Sequence, residues 1–290
     1  MSLNANVRAE ALIEALPYMQ KFRGHLFVIK YGGSAMEDEH AIDRLLKDIV
    51  FLEAVGINPI VIHGGGKAIT ERMRQAGQKA RFVNGLRCTD KEAVSIVEDV
   101  LDNTINPDIA NRINAFGGSA MGIHGKNVLI AQKLPPQREH GEDVDLGYVG
   151  EVTDVKLDEI TQMVEREIVP VISPLARDTA GIVYNINADI AAGSVAGRLG
   201  ATKLIYVSDV PGLMRDPADK SSLIPSVSTA QIEKLIADNI ISGGMIPKVE
   251  SALNALRQGV KKVHFIDGRT PHALLLEVFT NQGIGTEIVG

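Results

Sequence analysis

Two short stretches, His25–Gly33 (HLFVIKYGG) and Pro59–Lys67 (PIVIHGGGK), decide how the rest of this sequence is interpreted. Each is a run of apolar and β-branched residues that stops at glycines, and each is followed by a segment of helical period. A strand that ends in a glycine turn before a helix leaves backbone N–H groups at one point, where the helix dipole also favours negative charge. Two such turns, with Lys30 ending the first strand, predict a polyanion site and favour phosphate transfer.

The composition of the 290-residue chain limits its class. Hydrophobic residues make up 45% of it, which is enough for a full core. The net charge of −6 and the absence of tryptophan argue against nucleic acid and anionic membranes as partners. The single cysteine, Cys88, excludes an internal disulfide, and no apolar run reaches the roughly 20 residues of a membrane span. We therefore expect a soluble cytoplasmic protein with no nucleic-acid or membrane partner.

Alternating strand and helix patterns predict an α/β fold with a mainly parallel central sheet. The predicted strands cover residues 26–30, 59–63, 168–172, 182–186, 203–208, 261–266 and 286–289. The predicted helices cover residues 38–54, 67–76, 91–104, 107–115, 157–165, 189–199, 229–239, 247–258 and 271–279. Residues 117–155 are rich in glycine, proline and charge, which favours β-hairpins over helices.

A further helix, predicted over residues 3–23, precedes the first strand. Its apolar stripe contains Leu12, Leu16 and Phe22, and Pro17 is expected to kink or end it. Because this helix comes before the sheet begins, its stripe packs either on its own domain or on another subunit.

Several polar residues lie where predicted elements begin or end. Lys30 on a buried strand either pairs with an anion or reaches solvent as an edge lysine. Arg87 in a polar loop is either a surface arginine or a clamp that binds a carboxylate with two parallel hydrogen bonds. Asp189 either caps the helix that begins there or orients nearby lysines. Lys248, in the first turn of a helix, opposes the helix dipole unless an anion binds. His63 is expected to be structural, hydrogen-bonded at the end of its strand.

Six segments occur in the order seen in N-acetylglutamate kinases, and the sequence resembles that family from about residue 24 to residue 290. They are Ile29–Gly33 (IKYGG), His63–Gly66 (HGGG), Asn84–Arg87 (NGLR), Asn185–Asp189 (NINAD), Ser208–Leu213 (SDVPGL) and Gly243–Lys248 (GGMIPK). The resemblance implies the amino acid kinase fold, a three-layer αβα sandwich with a mainly parallel central sheet, here preceded by a kinked N-terminal helix. It also implies an oligomerisation helix at 1–23, an N-lobe for substrate binding and dimerisation at 24–178, and a C-lobe for ATP and effector at 179–290.

The activity implied by the resemblance is ATP-dependent phosphorylation of the side-chain carboxylate of N-acetyl-L-glutamate, in arginine biosynthesis. Lys30 and Lys248 would stabilise the transferring phosphoryl group, and Asp189 would orient both lysines. The residues implied for substrate binding are Gly65, Gly66, Arg87 and Asn185. Those implied for the nucleotide and its phosphates are Gly32, Gly33, Ser208, Asp209, Gly212, Leu213, Gly243 and Gly244. No residue is implied as a metal ligand, and Mg²⁺ is expected to be held mainly through ATP phosphates and water.

The physical requirements of this reaction agree with those roles. A carboxylate that attacks a phosphoryl group brings two anions together, so the protein must supply positive charge and in-line positioning. No general base is needed, because the carboxylate is already ionised at neutral pH.

The two ends of the chain resemble the arginine-inhibited branch of the family. In that branch the N-terminal helices join three dimers into a hexameric ring, and L-arginine binds between this helix and the C-terminal lobe. The effector contacts implied for this sequence are Tyr18, His264, Glu277 and Gly285. A carboxylate such as Glu277 can accept a guanidinium through two hydrogen bonds.

Two features depart from the family pattern and leave undecided which acceptor the wall of the substrate site accommodates. Cys88 stands where valine is usual, and Gly122–Asn127 (GIHGKN) differs from the commoner version with serine and aspartate. One alternative function is therefore a related kinase acting on a longer acidic derivative, such as an aminoadipate compound. A second is a non-catalytic amino-acid sensor, although the joint presence of Lys30, Asp189 and Lys248 argues against it.

Overall fold

The computed structural model describes residues 4–33, 38–216, 218–243 and 245–290. Its strands are β1 (Leu26–Tyr31), β2 (Asn58–His63), β3 (Phe82–Val83), β4 (Leu86–Arg87), β5 (Ala120–Ile123), β6 (Leu129–Lys133), β7 (Gln137–Glu139), β8 (Glu142–Val144), β9 (Gly150–Val155), β10 (Val169–Ile172), β11 (Leu175–Arg177), β12 (Val183–Asn185), β13 (Lys203–Ser208), β14 (Ser226–Ser228), β15 (Lys262–Asp267) and β16 (Thr286–Val289). Its α-helices are α1 (Ala5–Phe22), α2 (Glu39–Ala54), α3 (Gly66–Gln75), α4 (Lys91–Glu98), α5 (Asn106–Ala115), α6 (Gly125–Val128), α7 (Asp158–Glu165), α8 (Ala188–Leu199), α9 (Thr229–Ala237), α10 (Met245–Arg257) and α11 (Ala273–Val278). A π-helical segment, Asp99–Ile105, joins α4 to α5, and Lys220–Ser222 form a single 3₁₀ turn.

The centre of the fold is an eight-stranded sheet in the order β14-β16-β15-β13-β1-β2-β10-β5. All neighbouring strands in it run parallel except β15 and β16. A four-stranded sheet, β12-β11-β6-β9, and the hairpins β3–β4 and β7–β8 complete the strand pairing of the described residues. Apolar side chains of α7, α8, α9 and α10 pack on one face of the large sheet, and those of α2, α5 and α11 pack on the other. The predicted three-layer α/β fold is therefore confirmed.

Strand β1 lies in the middle of the sheet and is buried on both faces. Its alternate side chains Phe27, Ile29 and Tyr31 pack in the core on the α2 side. Val28 belongs to the core on the opposite side, beneath α8, and Lys30 shares that face because strand side chains alternate. An apolar strand between two cores has thus placed a lysine, only 6% exposed, under the start of a helix.

Helix α8 is unusually slim, and this lets a second helix pack against it. A Cβ atom added to Gly193 would lie 2.7 Å from the Oγ of Ser251 on α10. One added to Gly197 would lie 2.7 Å from the Cβ of Gln258. The sequence predicted only that the small residues bring α8 close to the sheet. In the structure they also bring α10, which carries Lys248, close to α8.

The structure differs from the predicted elements in four places. Of the two effects expected of Pro17, ending the helix is wrong, because α1 continues through it to Phe22. The predicted helices 91–104 and 107–115 form one continuous helical stretch, because the π-helical segment already interrupts the regular hydrogen-bond ladder before Pro107.

Residues 117–155 contain the expected hairpins, but also the short helix α6 and strand β5, which pairs in parallel with β10. The outer strand β14 was not predicted, because only its central residue is buried. No helix in the described ranges combines the length and apolarity needed to cross a bilayer.

Candidate active site

The two glycine turns meet at the carboxyl ends of β1 and β2, where they border a cavity of about 590 Å³. A Cβ atom on Gly64 would lie 3.2 Å from the Cα of Gly32, so the two turns touch through their backbones. The cavity is lined by Lys30, Gly33, Gly64, Gly65, Gly66, Lys67, Ile69, Thr70, Phe82, Gly85, Leu86, Arg87, Leu101, Val149, Pro174, Asn185, Ile186, Asn187, Ala188, Asp189 and Asp209. Five of the six segments that carry the family resemblance therefore contribute lining residues, and Lys248 of the sixth contacts the lining residue Asp189.

The second turn presents backbone donors to this cavity. Gly65 and Gly66 begin helix α3, and a Cβ atom on Gly65 would lie 2.6 Å from Cδ2 of Leu101, which leaves no room for a side chain. Within the described part of the chain, the N–H groups of Gly65 and Gly66 donate to no protein acceptor. Two amide donors and the positive end of a ten-residue helix are thus available to an anion.

Asp189 joins two lysines that come from opposite halves of the sequence. The Nζ of Lys30 lies 2.9 Å from Oδ1 of Asp189, and the Nζ of Lys248 donates to Oδ2 at 2.7 Å. These three residues form the ion triad of the site. With both lysines protonated, the triad carries a net positive charge next to the glycine turns.

Burial and charge act in opposite directions within the ion triad. Burial raises the pKa of the Asp189 carboxyl, but the charges of Lys30 and Lys248 outweigh it and lower that pKa to about 2. Burial also lowers the pKa of Lys30, while the Asp189 carboxylate opposes this effect. The carboxylate is therefore ionised at neutral pH and favours the charged form of the lysine beside it.

The cap of α8 is Asn187, not Asp189. Its Oδ1 accepts hydrogen bonds from the N–H of Asp189 at 2.8 Å and of Ile190 at 3.3 Å. The interpretation of Asp189 as a helix cap is therefore wrong. Because the amide side chain caps the helix, the Asp189 carboxylate two residues later is left to bind the lysines.

Arg87 is buried in the wall of the cavity. Its Nη2 donates to the carbonyl of Gly66 and to Oγ1 of Thr70, each at 2.7 Å, and its guanidinium lies 4.7 Å from the centre of the Phe82 ring. No carboxylate in the described ranges lies within 4.0 Å of its nitrogens. Its Nη1 donates to Sδ of Met73 at 3.4 Å, a weak acceptor. The side chain thus braces the second glycine turn, and its Nε remains available to an anionic ligand.

Asn185 also lines the cavity, at the end of β12. Its Nδ2 donates to Oγ1 of Thr89 at 3.3 Å, and Thr89 in turn donates to the backbone carbonyl of Arg87 at 2.9 Å. The two residues predicted to hold the substrate carboxylate are therefore connected through Thr89.

Only some of the residues predicted for the nucleotide line this cavity. Asp209 lines it, and the buried Ser208 precedes Asp209 at the end of β13. Gly212 and Leu213 are not among its lining residues. A Cβ atom on Gly212 would lie 2.4 Å from Oγ1 of Thr286, to which the N–H of Leu213 donates at 2.8 Å.

Two more of the predicted glycines precede α10. Gly243 adopts a positive φ of 54° in the turn before this helix, a conformation that suits glycine. Gly244 lies outside the described residues.

A second cavity, of about 930 Å³, lies between α1 and the C-terminal elements. Tyr18, His264, Glu277 and Gly285 all line it, so the structure brings together the four residues predicted as effector contacts. The hydroxyl of Tyr18 donates to Oδ1 of Asn281 at 2.5 Å, which connects α1 to the loop before β16.

Glu277 is the centre of a buried polar cluster at this second cavity. Its Oε1 lies 2.6 Å from Nδ1 of His264, and its Oε2 accepts from the N–H groups of Ile284 and Gly285 at 2.7 and 3.0 Å. Burial raises the pKa of Glu277, but the hydrogen bond and charge of His264 together with the two backbone N–H groups outweigh it, so the net shift is downward. A Cβ atom on Gly285 would lie 2.0 Å from the carbonyl oxygen of Phe265, so only glycine fits there.

Sequence reasoning missed Lys203, which lines the same cavity. Its Nζ lies 2.8 Å from Nε2 of His264, and burial lowers its pKa to about 8. The signal was available, since Lys203 begins a fully buried strand and Lys30 likewise lies near the end of one.

Residues 25–267 match the sequence profile of the amino acid kinase family. The chain belongs to this family. The acetylglutamate kinase of Akkermansia muciniphila is 50% identical over 283 residues, which cover 97% of this chain and 95% of that one. The acetylglutamate kinase of Methanocaldococcus jannaschii is 49% identical over 287 residues, which cover 97% and 96%. The prediction that the chain is a phosphotransferase is confirmed, and membership of a kinase family implies the use of ATP.

Among solved structures, N-acetylglutamate synthase from Neisseria gonorrhoeae, in complex with coenzyme A and N-acetyl-glutamate, superposes with a TM-score of 0.83 at 24% identity. The match covers 97% of this chain and 63% of that one, so the chain spans less than two thirds of the synthase. This likeness supports the fold.

Proposed function

We propose that the chain transfers the γ-phosphoryl group of ATP to the side-chain carboxylate of N-acetyl-L-glutamate, and so serves arginine biosynthesis. The observation that carries the proposal is the ion triad of Lys30, Asp189 and Lys248 beside the amides of Gly65 and Gly66. Relatives named acetylglutamate kinase, about half identical over nearly the whole chain, support this choice of acceptor.

The mechanism follows from charge. The acceptor carboxylate is ionised and attacks without a general base. Lys30 and Lys248 neutralise the negative charge on the transferring phosphoryl group, and the amides of the second glycine turn bind its oxygens. Asp189 holds both ammonium groups in place and touches neither substrate.

The residues present fit Mg²⁺ that arrives with ATP. Among the described residues, no three His, Cys, Asp or Glu side chains are grouped to hold a metal ion. Both oxygens of Asp189 face lysines, which leaves Asp209 as the other carboxylate at the cavity. Mg²⁺ tolerates such a site because it retains waters and binds phosphates, where it neutralises their charge.

We assign the binding of the two substrates to two consecutive parts of the chain. Residues 24–178 would bind the amino-acid substrate and form the dimer, and 179–290 would bind ATP and the effector. Gly65 and Arg87 belong to the first part, whereas Asp209 and Lys248 belong to the second. The ion triad would then lie where the two substrates meet.

Trapping the acyl phosphate with hydroxylamine tests the proposed function. The chain is incubated with Mg-ATP and one of four acceptors: N-acetylglutamate, glutamate, aspartate or N-acetylaminoadipate. We expect a hydroxamate with N-acetylglutamate alone. Product with the longer acceptor would favour the aminoadipate-type kinase, and no product with any acceptor, alongside measurable arginine binding, would favour a sensor.

Arg87→Gln is expected to raise the KM for N-acetylglutamate about 30-fold and to lower kcat much less. Losing a charge-assisted hydrogen bond to a carboxylate costs about 2 kcal/mol, which corresponds to roughly that factor. Steady-state kinetics with varied acceptor measures the effect. Arg81→Gln, an exposed arginine of the same loop region, is the control. An unchanged KM would exclude Arg87 from acceptor binding.

We also propose that L-arginine inhibits the enzyme by binding in the 930 Å³ cavity. An amino acid with a cationic side chain needs both signs of charge, and Glu277, Glu287, Lys203 and Lys262 line this space. Inhibition requires that arginine bind one arrangement of the enzyme better than another. Helix α1 and helix α11, which carry Tyr18 and Glu277, are the elements whose spacing would change.

Glu277→Gln is expected to raise the arginine concentration for half-inhibition at least about 30-fold, since the neutral amide cannot make a charge-assisted bond to the guanidinium. The measurement is the ratio of inhibited to uninhibited rates of the same protein across an arginine titration. Glu233→Gln, on the exposed face of α9, is the control. Full inhibition of the Glu277 variant would place the arginine site elsewhere.

The proposed assembly is a trimer of dimers joined through α1. Leu12 and Ile13 are 60% and 68% exposed on this helix, which favours a contact with another subunit over one within the chain. Leu12→Glu combined with Ile13→Glu is expected to reduce a hexamer to dimers in light scattering coupled to size exclusion. Ile182→Glu, at an exposed apolar position outside α1, should leave the mass unchanged. A hexameric double variant would contradict this role for α1.

A further inference from the structure

A buried polar pair lies directly behind the second glycine turn. His63, the last residue of β2, is 0% exposed, and Asn106, the first residue of α5, is 1% exposed. Neither lines the cavity. Burying an imidazole and a carboxamide together is costly unless their donors and acceptors match.

The hydrogen bonds of this pair determine the tautomer of His63. Nδ1 lies 2.8 Å from the carbonyl oxygen of Gly64, which can only accept, so Nδ1 carries a hydrogen. Nε2 lies 3.2 Å from Nδ2 of Asn106, which can only donate, so Nε2 is bare. The same Nδ2 donates to the carbonyl of Val171 at 2.8 Å, which orients the carboxamide. A chain of matched partners therefore runs from β10 through Asn106 and His63 to Gly64.

Neighbouring backbone leaves room for the carboxamide of Asn106. A Cβ atom on Gly122 of β5 would lie 1.9 Å from Oδ1 of Asn106, so this strand position accepts only glycine. Gly122 belongs to the segment that departs from the family pattern. Strand β5, strand β10 and the end of the π-helical segment thus all support one carboxamide.

The contact between His63 and the Gly64 carbonyl fixes the orientation of the peptide that joins Gly64 to Gly65. The carbonyl of Gly64 and the N–H of Gly65 belong to one planar trans peptide and point in opposite directions. A carbonyl held toward His63 therefore turns the Gly65 N–H away from it. That N–H is one of the two donors available to an anion in the cavity.

We infer that His63 and Asn106 are positioning residues, which hold the Gly64–Gly65 peptide so that its N–H points at the transferring phosphoryl group. Neutral His63 with its hydrogen on Nδ1 is the form that does this, and Asn106 selects that form. The inference rests on the proposed function, since it assigns a task to a donor of the same site. Burial lowers the pKa of His63 to about 4, and Asp102 is the charged residue that opposes this shift.

Asn106→Asp tests the inference because it makes the tautomer depend on pH. At high pH the introduced carboxylate can only accept, so it draws the hydrogen to Nε2 and leaves a bare Nδ1 facing the Gly64 carbonyl. At low pH the pair binds one more proton, either on the imidazole or on the introduced carboxyl group. Both placements restore a hydrogen on Nδ1.

We expect the kcat of the Asn106→Asp variant, relative to the unchanged chain, to fall at least about tenfold between about pH 6 and pH 9, as losing an oriented donor predicts. KM for ATP should change little. The matched control is Asn114→Asp on the same helix, whose side chain bonds the backbone of Ala120 on the same strand β5. Its kcat ratio should stay constant over this range.

The outcomes separate the two proposals. A constant kcat ratio for the Asn106 variant, in a protein that melts within a few degrees of the unchanged chain, overturns the positioning role and leaves the proposed function standing. No acyl phosphate from the unchanged chain overturns both. A second variant guards against misfolding: His63→Asn keeps an N–H near the position of Nδ1 and should retain at least about tenfold more kcat than His63→Leu. Equal losses in the two variants would also overturn the role.

Discussion

Lys30→Met is expected to lower kcat about 10³-fold while the KM values for ATP and for the acceptor change less than about tenfold. In the proposed mechanism the ammonium of the buried Lys30 acts where charge develops, so its effect would be greatest in the transition state. Methionine has a similar length and no charge, which leaves the packing beneath α8 nearly unchanged.

Steady-state kinetics by hydroxylamine trapping measures both constants. Lys156→Met, an exposed lysine beyond β9, is the control and should retain full activity. A Lys30 variant with normal kcat would remove this lysine from the mechanism. A variant with normal kcat and a greatly raised KM for ATP would make it a binding residue only.

Asp189→Asn is expected to lower kcat about 10²-fold to 10³-fold and to make the remaining activity depend on pH. The carboxylate favours the charged form of Lys30, whereas burial and the charge of Lys248 favour the neutral form. Without the carboxylate the pKa of Lys30 falls further. Lys30 then loses its proton more readily as the pH rises, so the residual kcat should decrease with rising pH more steeply than that of the unchanged enzyme.

The control for this variant is Asp158→Asn. Asp158 lies in the first turn of α7, as Asp189 does in α8, but it contacts neither lysine. Both variants remove a negative charge from a helix N-terminus, so any difference between them reports on the lysines. A pH profile of the Asp189 variant parallel to that of the unchanged enzyme would contradict the proposed effect on Lys30.

Much of the fold follows from local pattern. The predicted strand 203–208 has the observed bounds, and most predicted helices end within a few residues of the observed ones, because periodic burial and glycine turns act over short stretches. Strand β14 and the π-helical segment were missed, because a three-residue strand and a widened helical turn leave no periodic signal.

Some residues of the candidate site could be predicted from the sequence, whereas others could be found only in the structure. Lys30, the glycine turns and Asp189 could be selected from the sequence, since a charge in an apolar strand or a glycine before a helix is a local anomaly. The cap at Asn187, the bracing bonds of Arg87 and the pair of His63 and Asn106 depend on which side chains meet. The local sequence pattern contains no information on contacts between side chains that are distant in the sequence.

The sequence by itself determined the mainly parallel α/β fold, the position of the two glycine turns and the family to which the chain belongs. Only the tertiary structure decided that one carboxylate bridges Lys30 and Lys248, that Asn187 takes the cap, and that Asn106 selects the tautomer of His63. The physical reason is the difference in range between these effects. Strand and helix periods arise between near neighbours, whereas ion pairs and buried hydrogen bonds depend on distances that exist only once the sheet and its two helical layers have packed.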